Sequence, residues 1–418
     1  MRQAVVAALV AAVVAAAAAL LPDALATDLL DLGLAAALYA GEWVVPGRVE
    51  APLRSFCERV LAVTRAQHDL AGPAAAAAGG GIAVAGNPFV VDRRFDLSLE
   101  FHALGGLGAG AQWEDMCEMK RRRLATADHG AISSKVEWYR FLNSSTLPFS
   151  RLLWAAHANE PDASAAGAAA ACAAARAAHA AGVGVVVKPA HCVKGQGLAY
   201  FPPLPPGAPP LSCDALAAAV SRCMQTEPDA AAWHMRGVAR GAVVQAAFAA
   251  DERGWARPWW RRATGVPRPA ELKLLVVWGR VLVINAEHIP GVKHLFPDGS
   301  ASGTNPALSA WLHAVYVPSL LRAAEALASA IGSPMVRLDF LVALPSRRAA
   351  GAKDGRWALN EVELVTGIGY HDVYAQPCMA RLWRAGYERG AYVVVDRSDA
   401  ELREALRGAA AALERARA

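Results

Sequence analysis

Two segments late in the chain alternate apolar and acidic positions in a way that predicts a pair of strands. Residues 336–342 place Asp339 among apolar residues, and residues 357–367 place Glu361 and Glu363 in a similar frame. A short basic loop separates the two segments, so we expect a hairpin with three carboxylates near one end. The same alternation is also typical of a strand with one solvated face, where carboxylates simply face water.

Three earlier segments also predict strands. Residues 182–189 are a valine-rich run that closes with Lys188 and a proline, which cannot donate to a strand ladder. Residues 240–248 predict a single strand, and residues 271–284 predict a hairpin that turns at Gly279.

Helical patterns lie between these strands. They predict helices after Lys135 and after Ser164, one long helix over residues 307–331, and a charged amphipathic helix over residues 399–418.

A glycine-containing turn follows the valine-rich strand. Lys194, Gly195, Gln196 and Gly197 supply backbone freedom and exposed N–H groups, which suit phosphate oxygens. The GxxxxGK[ST] order of a P-loop is absent, so this would be a different phosphate-binding device. An ordinary hairpin turn is the alternative interpretation.

The three carboxylates of the late hairpin would repel each other if they converged in an apolar setting. A divalent cation is the natural neutraliser, and Mg²⁺ takes few carboxylates and completes its shell with water and phosphate oxygens. The hairpin therefore indicates a site for Mg²⁺ and the phosphates of a nucleotide.

The order of these motifs resembles the ATP-grasp superfamily over about residues 130–380. The resemblance implies an α+β fold in which two lobes clasp ATP. Within the superfamily, the chain is similar to the TupA-like ATP-grasp proteins of polysaccharide biosynthesis and to the D-alanine–D-alanine ligase branch.

The resemblance also implies roles for individual residues. Those expected to bind ATP are Lys135, Lys188, Lys194, Gly195, Gly197, Gln245, Phe248 and Glu252. Lysines would contact the phosphates, the backbone of Gln245 would contact the adenine edge, and Phe248 would pack near the ring. Glu252, or failing it Asp251, would take the ribose hydroxyls.

The metal ligands implied by the resemblance are Asp339, Glu361 and Glu363, and the catalytic residues are Arg337, Lys273 and Gly367. Arg337 would meet the transferred phosphate and the developing oxyanion, to which the Gly367 backbone would add an N–H. Glu363 stands where the ligase branch usually has asparagine, and glutamate also coordinates Mg²⁺.

The activity implied is an ATP- and Mg²⁺-dependent carboxylate–amine ligation through an acylphosphate, with a small-molecule or glycan-linked substrate. Two alternatives remain open. One is a kinase of the same fold that phosphorylates a hydroxyl group, and the other is a membrane-tethered nucleotide-binding module without turnover. His288 and His294 could line an acceptor pocket or lie in a surface loop.

Length and composition place these motifs in a larger chain. With 418 residues, 55% hydrophobic and 19% charged, the chain is not of the disordered class. We expect an N-terminal signal segment, a helical and mixed region, two ATP-grasp lobes and a C-terminal helix, over residues 1–27, 28–130, 131–250, 251–395 and 396–418. The net charge of +5 is modest, and no nucleic-acid motif is present.

The N-terminal segment predicts contact with a membrane. Residues 4–21 carry no charge, and eighteen residues is near the lower limit for a span. A signal anchor, a signal peptide cleaved near residue 26, or a buried alanine-rich helix would each fit. We expect the protein to be membrane-anchored or to enter the secretory pathway.

The seven cysteines form no CxxC pair and no metal-ligand spacing. Cys213 and Cys223 could bridge locally, but the expectation is reduced, buried thiols.

Overall fold

The computed structural model describes residues 58, 88–103, 113–125, 134–143, 152–163, 165–192, 196–203, 207–228, 235–248, 269–289, 291–344, 356–364, 376–390 and 392–415. The predicted N-terminal segment, residues 1–27, lies outside them and stays a prediction.

Helices and strands alternate through the described residues. The α-helices are α1 (Ser98–Ala103), α2 (Trp113–Leu124), α3 (Lys135–Asn143), α4 (Ala165–Ala180), α5 (Cys213–Gln225), α6 (Pro306–Val315), α7 (Val317–Ile331), α8 (Gln376–Arg389) and α9 (Asp399–Arg415). The strands are β1 (Phe89–Asp92), β2 (Leu152–His157), β3 (Val185–Pro189), β4 (Ala199–Phe201), β5 (Gly241–Ala246), β6 (Ala270–Val277), β7 (Arg280–Glu287), β8 (Val292–Leu295), β9 (Ala301–Gly303), β10 (Met335–Val342), β11 (Trp357–Glu363) and β12 (Tyr392–Val395).

The larger sheet has six strands in the order β11-β10-β6-β7-β8-β9, with antiparallel neighbours. One face packs on α6, α7 and α9 through the main core, to which Leu274, Val336, Leu320 and Leu406 contribute. We call this sheet and these helices the second lobe. The predicted hairpin with three carboxylates is confirmed as the β10–β11 pair.

The hairpin predicted to turn at Gly279 is also confirmed. Val277 pairs with Arg280, and the two residues between them have positive φ, 50° at Trp278 and 73° at Gly279. Two successive positive φ angles are the geometry of a type I′ turn, which matches the twist of the flanking strands. Trp278 is unusual there, but its ring is buried and its Nε1 donates to the Trp383 carbonyl at 2.8 Å.

The smaller sheet has the order β2-β5-β3-β4 and is also antiparallel. Its outer face packs on α4 and α5 through small and branched residues such as Ala175, Val187, Leu216 and Val244. We call this sheet and these two helices the first lobe. The valine-rich segment is therefore a central strand, β3, as its continuous apolar run indicates.

Helix α3 packs against both lobes. Val136 and Tyr139 pack in a small core with Val243 of the first lobe, whereas Trp138 and Phe141 belong to the main core of the second lobe. This helix therefore lies between the sheets, beside the edge strand β11.

A third core lies on the other face of the larger sheet, around the Met335 end of β10. It joins α2 and α8 to sheet residues such as Leu275, Val283 and Met335. The short parallel pair of β1 and β12 packs beside it.

This architecture confirms the predicted α+β class, and two sheets with helices on their outer faces agree with an ATP-grasp fold. The predicted boundary at residues 250 and 251 falls outside the described residues and stays a prediction.

One helix prediction is wrong in its extent. Residues 307–331 do not form one helix, because α6 ends before Tyr316 and α7 begins after it, with a bend of 56°. Pro318 stands in the first turn of α7. A proline lacks the N–H that a continuing helix would use at that point and favours the first turn of a new one. The C-terminal helix is confirmed as α9, as far as the described residues extend.

The expectation of reduced, buried thiols holds for Cys117, Cys192 and Cys223, which are not disulfide-bonded. It is wrong for Cys172 and Cys213, which form a disulfide with a Cα–Cα distance of 5.4 Å. A bridge between Cys213 and Cys223 is excluded because both lie on α5, ten residues apart, and the rise of a helix separates them by about 15 Å.

Within the described residues, no single helix has the length and apolarity to cross a bilayer, although the bent pair of α6 and α7 would pass on length and composition taken together.

The contact between Gly386 and the Trp278 ring gives a testable prediction. A Cβ at Gly386 would lie 1.8 Å from Trp278 Cε2, so even alanine forces the turn or α8 to move. We expect Gly386→Ala to lower the free energy of unfolding by about 3 kcal/mol, measured by chemical denaturation. Gly408 in α9 has open space at its Cβ position, so Gly408→Ala is the control and should stabilise by about 0.5–1 kcal/mol. Equal effects at the two positions would contradict this packing.

Lys120 is a buried lysine in the third core. Its ammonium donates to Ser333 Oγ at 2.9 Å and to the Met335 carbonyl, and it lies 5.9 Å from the Trp383 ring centre. Burial lowers the pKa of Lys120 to about 7. Above about pH 7 the folded protein therefore holds Lys120 mainly as the neutral amine. The unfolded chain keeps this proton up to the ordinary lysine pKa near 10.5.

This difference predicts a pH-dependent stability. Between pH 7 and pH 10 the unfolded state binds more protons, so the stability of the wild type should rise with pH. Lys120→Met keeps an apolar side chain of similar length and removes the amine that titrates. The Met335 carbonyl keeps a donor in this variant, because Ser333 Oγ donates to it at 2.7 Å. We expect the variant to be more stable than the wild type below pH 7 and this gap to shrink toward pH 10. Parallel stability curves from denaturation at each pH would contradict the assignment.

Candidate functional site

The polar residues of the larger sheet form a cross-strand row. Glu361 lies opposite Asp339, Asp339 opposite Lys273, Lys273 opposite Asn285, and Asn285 opposite His294. Directly paired residues point to the same face of a sheet, so these side chains share one face. That face is opposite the main core, because the neighbouring positions of β6, Leu272 and Leu274, are fully buried in it.

Asp339 of this row is paired with Arg337, which lies two residues earlier on β10. The guanidinium contacts both carboxylate oxygens, with Nε at 2.7 Å from Oδ1 and Nη2 at 2.8 Å from Oδ2. Its Nη2 also lies 3.4 Å from Glu363 Oε2. Asp339 is only 1% exposed, and this bidentate geometry is the kind that a buried carboxylate requires.

Lys273 connects three carboxylates, one on its own strand and one on each neighbouring strand. Its Nζ lies 2.9 Å from Glu287 Oε2, 3.5 Å from Glu271 Oε2 and 3.8 Å from Asp339 Oδ2. Glu271 and Glu287 are directly opposed across β6 and β7, so one lysine compensates two like charges that would otherwise repel each other.

Two lysines outside the second lobe meet Glu361. Lys135, the first residue of α3, lies 2.9 Å from Glu361 Oε1 and donates to the Cys192 carbonyl at 2.8 Å. Lys188, on β3 of the first lobe, lies 3.6 Å from the same oxygen. The strand order therefore brings together residues that are far apart in the chain. The predicted site residues that share this cluster are Lys135, Lys188, Lys273, Arg337, Asp339, Glu361 and Glu363.

The pKa directions follow from this arrangement. Burial acts to raise the pKa of Glu361, but Lys135 and Lys188 outweigh it and hold that pKa well below its ordinary value. Burial raises the pKa of Glu271 to about 7, and the charge of Asp339 adds to the effect. Burial acts to lower the pKa of Lys273, but the charges of Asp339 and Glu271 outweigh it and raise that pKa.

Asn360 is a site residue that the sequence pattern did not reveal. Phe340 pairs with Leu359 and Asp339 with Glu361, so Asn360 is the extra residue of a β-bulge. Its side chain bridges two strands: Oδ1 accepts from Lys188 Nζ at 3.4 Å, and Nδ2 donates to Glu271 Oε1 at 2.9 Å. Simple alternation would have put Asn360 and Glu361 on opposite faces, and the bulge brings both side chains into contact with Lys188.

Tyr139 was also missed, because a tyrosine on an amphipathic helix is typical of a core residue. Its hydroxyl lies 2.5 Å from Gln245 Oε1 and 3.0 Å from the Asn360 carbonyl, and Lys188 Nζ lies 4.9 Å from its ring centre.

The structure does not fit the role expected of Gln245, in which its backbone contacts the adenine edge. This residue pairs with Val186 on one side and Leu152 on the other, so its backbone is inside the sheet rather than free at an edge. Its buried side chain contacts Tyr139 instead. Ala247 still donates to the Gly184 carbonyl, so the backbone pairing beside β5 extends at least to that residue. Phe248 itself is half-buried.

The predicted phosphate loop is described in part. Gly197 has φ of +66°, and a Cβ there would lie 2.7 Å from Thr226 Oγ1, so the position requires glycine. Lys194, Gly195, Glu252 and Gly367 lie outside the described residues, as does Asp251. Their roles stay predictions.

Three side chains other than the predicted metal ligands lie close enough together to share a metal ion. Among the described residues, three ligand atoms within 4.8 Å of one another belong to Glu137, His157 and Glu160, and the predicted trio of carboxylates does not form such a group. Arg140 already donates to Glu137 at 3.0 Å and to Glu160 at 2.6 Å, so that set is an ion-pair network. Asp339 and Glu361, by contrast, are opposed on adjacent strands.

His294 belongs to the far end of the row. Its Nδ1 lies 3.0 Å from Ser302 Oγ, and burial lowers its pKa to about 4, so the imidazole is neutral near pH 7. His288 follows β7 directly, next to Glu287, and has a positive φ of 61°. Both histidines therefore lie beyond Lys273, away from Lys135 and Lys188.

Comparisons with known proteins add a likeness to a solved structure. No family model matches the chain, and no curated protein is similar to it. Among solved structures, the chain is similar to D-cycloserine synthetase DcsG, with 13% sequence identity and a TM-score of 0.32 over 70% of this chain and 98% of that one. At that identity and TM-score the likeness carries nothing about activity, which has to be inferred from this chain's own residues.

Proposed function

We propose that this protein is an ATP- and Mg²⁺-dependent ligase of the ATP-grasp type. It would activate a carboxylate as an acylphosphate that an amine then attacks. One observation carries the proposal: Lys135 and Lys188 reach across from outside the second lobe to Glu361, which lies opposite Asp339 on the neighbouring strand.

The charges of this cluster support nucleotide binding. Phosphoryl transfer needs positioning and neutralisation of phosphate oxygens more than covalent help from the protein. Lys135 and Lys188 are point charges beside Glu361, and phosphate oxygens would replace Glu361 as their partner. Glu361, once released, would join Asp339 as a ligand of Mg²⁺.

The donor set fits Mg²⁺. The ion takes hard oxygen ligands, binds through one or two carboxylates, and completes its shell with water and phosphate oxygens. Asp339 and Glu361 supply two carboxylates on adjacent strands, and Glu363 lies two residues further along β11. When bound, Mg²⁺ would supply charge neutralisation on the phosphates.

The ligation would proceed in two steps. A substrate carboxylate oxygen attacks the γ-phosphorus of ATP and ADP leaves. The amine nitrogen then attacks the acyl carbon, the phosphate leaves, and the nitrogen gives up a proton. Arg337 offers a planar guanidinium to the phosphate or to the oxyanion of the second step, with a role for the Gly367 backbone N–H still predicted from the sequence.

The nature of the substrate rests on the sequence resemblance to TupA-like proteins. We propose that the acceptor is linked to a glycan or a cell-surface polymer. A membrane-anchored or secretory location, from the N-terminal segment, would fit such a substrate and is likewise a proposal.

Substitution of the metal-binding carboxylates gives a direct test. We expect Asp339→Asn and Glu361→Gln each to abolish Mg²⁺-dependent ATP turnover, because each removes one of the two negative charges that would hold Mg²⁺. Circular dichroism and thermal unfolding should show that both variants still fold. Glu404→Gln is the control, since Glu404 is an exposed carboxylate on α9 paired with Arg407. Full activity in either site variant would overturn the metal assignment.

Product analysis tests the ligase against the kinase that the same fold could support. A ligase should release free phosphate and ADP only when both a carboxylate and an amine are supplied, which ³¹P NMR can follow. A phosphorylated hydroxyl product would identify a kinase instead. Tight Mg-ATP binding in calorimetry with no turnover across carboxylate, amine and hydroxyl substrates would identify a nucleotide-binding module.

A further inference from the structure

Tyr139 occupies a special position between the two lobes. It follows Lys135 by four residues on α3, so the two side chains lie on the same face of that helix. Tyr139 is 1% exposed, yet its contacts are not those of a plain core residue. Its ring contacts Lys188, which compensates Glu361, and its hydroxyl contacts Asn360, the residue before Glu361.

The ring of Tyr139 holds the Lys188 ammonium. The Nζ atom lies 4.9 Å from the ring centre, within the range of a cation–π interaction. Lys188 is also nine-tenths buried, and Asn360 Oδ1 accepts from it at 3.4 Å. The ring is therefore part of a small cage that restricts where this lysine can direct its charge.

The hydroxyl of Tyr139 connects the two sheets. Gln245 Oε1, from the central strand β5 of the first lobe, lies 2.5 Å away, and the Asn360 carbonyl, from β11 of the second lobe, lies 3.0 Å away. The single hydroxyl hydrogen is shared between these two acceptors. Burial raises the pKa of Tyr139 well above its ordinary value, and Glu361 adds to the effect, so the hydroxyl keeps its hydrogen.

The contact with Asn360 matters because of the β-bulge. A bulge leaves its extra residue outside the regular pairing of the two strands, so a donor from elsewhere can orient its carbonyl. Tyr139 supplies that donor. Since Asn360 directly precedes Glu361, fixing the carbonyl of the bulge also fixes the backbone that carries the proposed metal ligand.

We propose that Tyr139 is a positioning residue of the nucleotide site. Its ring sets the Lys188 ammonium toward the phosphates, and its hydroxyl sets the β11 bulge so that Glu361 meets the metal. This inference rests on the proposed function, because the two groups it positions are the proposed phosphate and Mg²⁺ contacts.

Two substitutions separate the two contacts. Tyr139→Phe keeps the ring under Lys188 and removes the hydroxyl, whereas Tyr139→Leu removes both. For Tyr139→Phe we expect the Mg²⁺ concentration at half-maximal ATP turnover to rise about 2- to 10-fold, because one hydrogen bond contributes that factor to an equilibrium constant. The KM for ATP should stay nearly unchanged, because the ring remains beside Lys188. For Tyr139→Leu we expect the KM for ATP to rise as well, by about 2- to 30-fold.

Tyr316→Phe is a matched control. Tyr316 is also a buried tyrosine, and its hydroxyl donates to backbone carbonyls, those of Ala343 and Arg356, but it lies in the main core of the second lobe. Loss of its hydroxyl should lower the unfolding temperature without moving the Mg²⁺ dependence or the KM for ATP.

The outcomes are distinct. If Tyr139→Phe and Tyr139→Leu lower the unfolding temperature as Tyr316→Phe does, but keep the wild-type Mg²⁺ dependence and KM, Tyr139 is a structural residue only and the inference is overturned. Should Tyr139→Leu fail to fold, the Mg²⁺ dependence of Tyr139→Phe alone decides. Calorimetry of the wild type with Mg-ATP is run first, since no binding there would instead overturn the proposed function.

Discussion

The compensation of the Glu361 carboxylate is the interaction on which the candidate site depends. A buried carboxylate without a partner costs several kcal/mol, and its partners here come from outside its own lobe. Lys135 begins α3 and Lys188 closes β3, and both direct their ammonium groups to one oxygen of Glu361. The relative placement of the two sheets near β11 is therefore tied to an electrostatic requirement, as well as to apolar packing.

Helix α3 makes this arrangement possible because it packs in two cores at once. Its apolar residues divide between the small core of the first lobe and the main core of the second. Arg403 of α9 also lies over Phe141 of this helix, with its guanidinium carbon 5.0 Å from the ring centre. The lysine at the start of α3 is thus held by packing from both sides, which suits a charge that must be placed accurately.

Much of the larger sheet could be predicted from the sequence, because alternation of apolar and polar residues fixes which side chains face the core. The β10–β11 hairpin, the turn at Gly279 and the shared face of Asp339 and Lys273 all follow from that period of two. The β-bulge at Asn360 does not, since a bulge changes the period by one residue and no glycine or proline marks it. The alternation therefore located Glu361 but gave no sign of Asn360.

Other differences have equally local causes. A tyrosine at a helical core spacing gives no hint that its hydroxyl reaches another sheet, so Tyr139 was not predicted. The adenine contact expected of Gln245 did not account for strands on both sides of β5, which occupy its backbone groups. The helix over residues 307–331 was predicted from hydrophobic period alone, which does not register the missing N–H of Pro318.

The disulfide between Cys172 and Cys213 has a consequence for the stability of the part of the first lobe that carries Lys188. The two cysteines are 41 residues apart, and the covalent ring they close contains β3 with Lys188, the glycine turn and β4. By the chain-entropy relation, such a ring disfavours the denatured ensemble by about 4 kcal/mol. A reductant would therefore lower the free energy of unfolding, because opening the ring lets the segment that carries Lys188 gain its full chain entropy on unfolding.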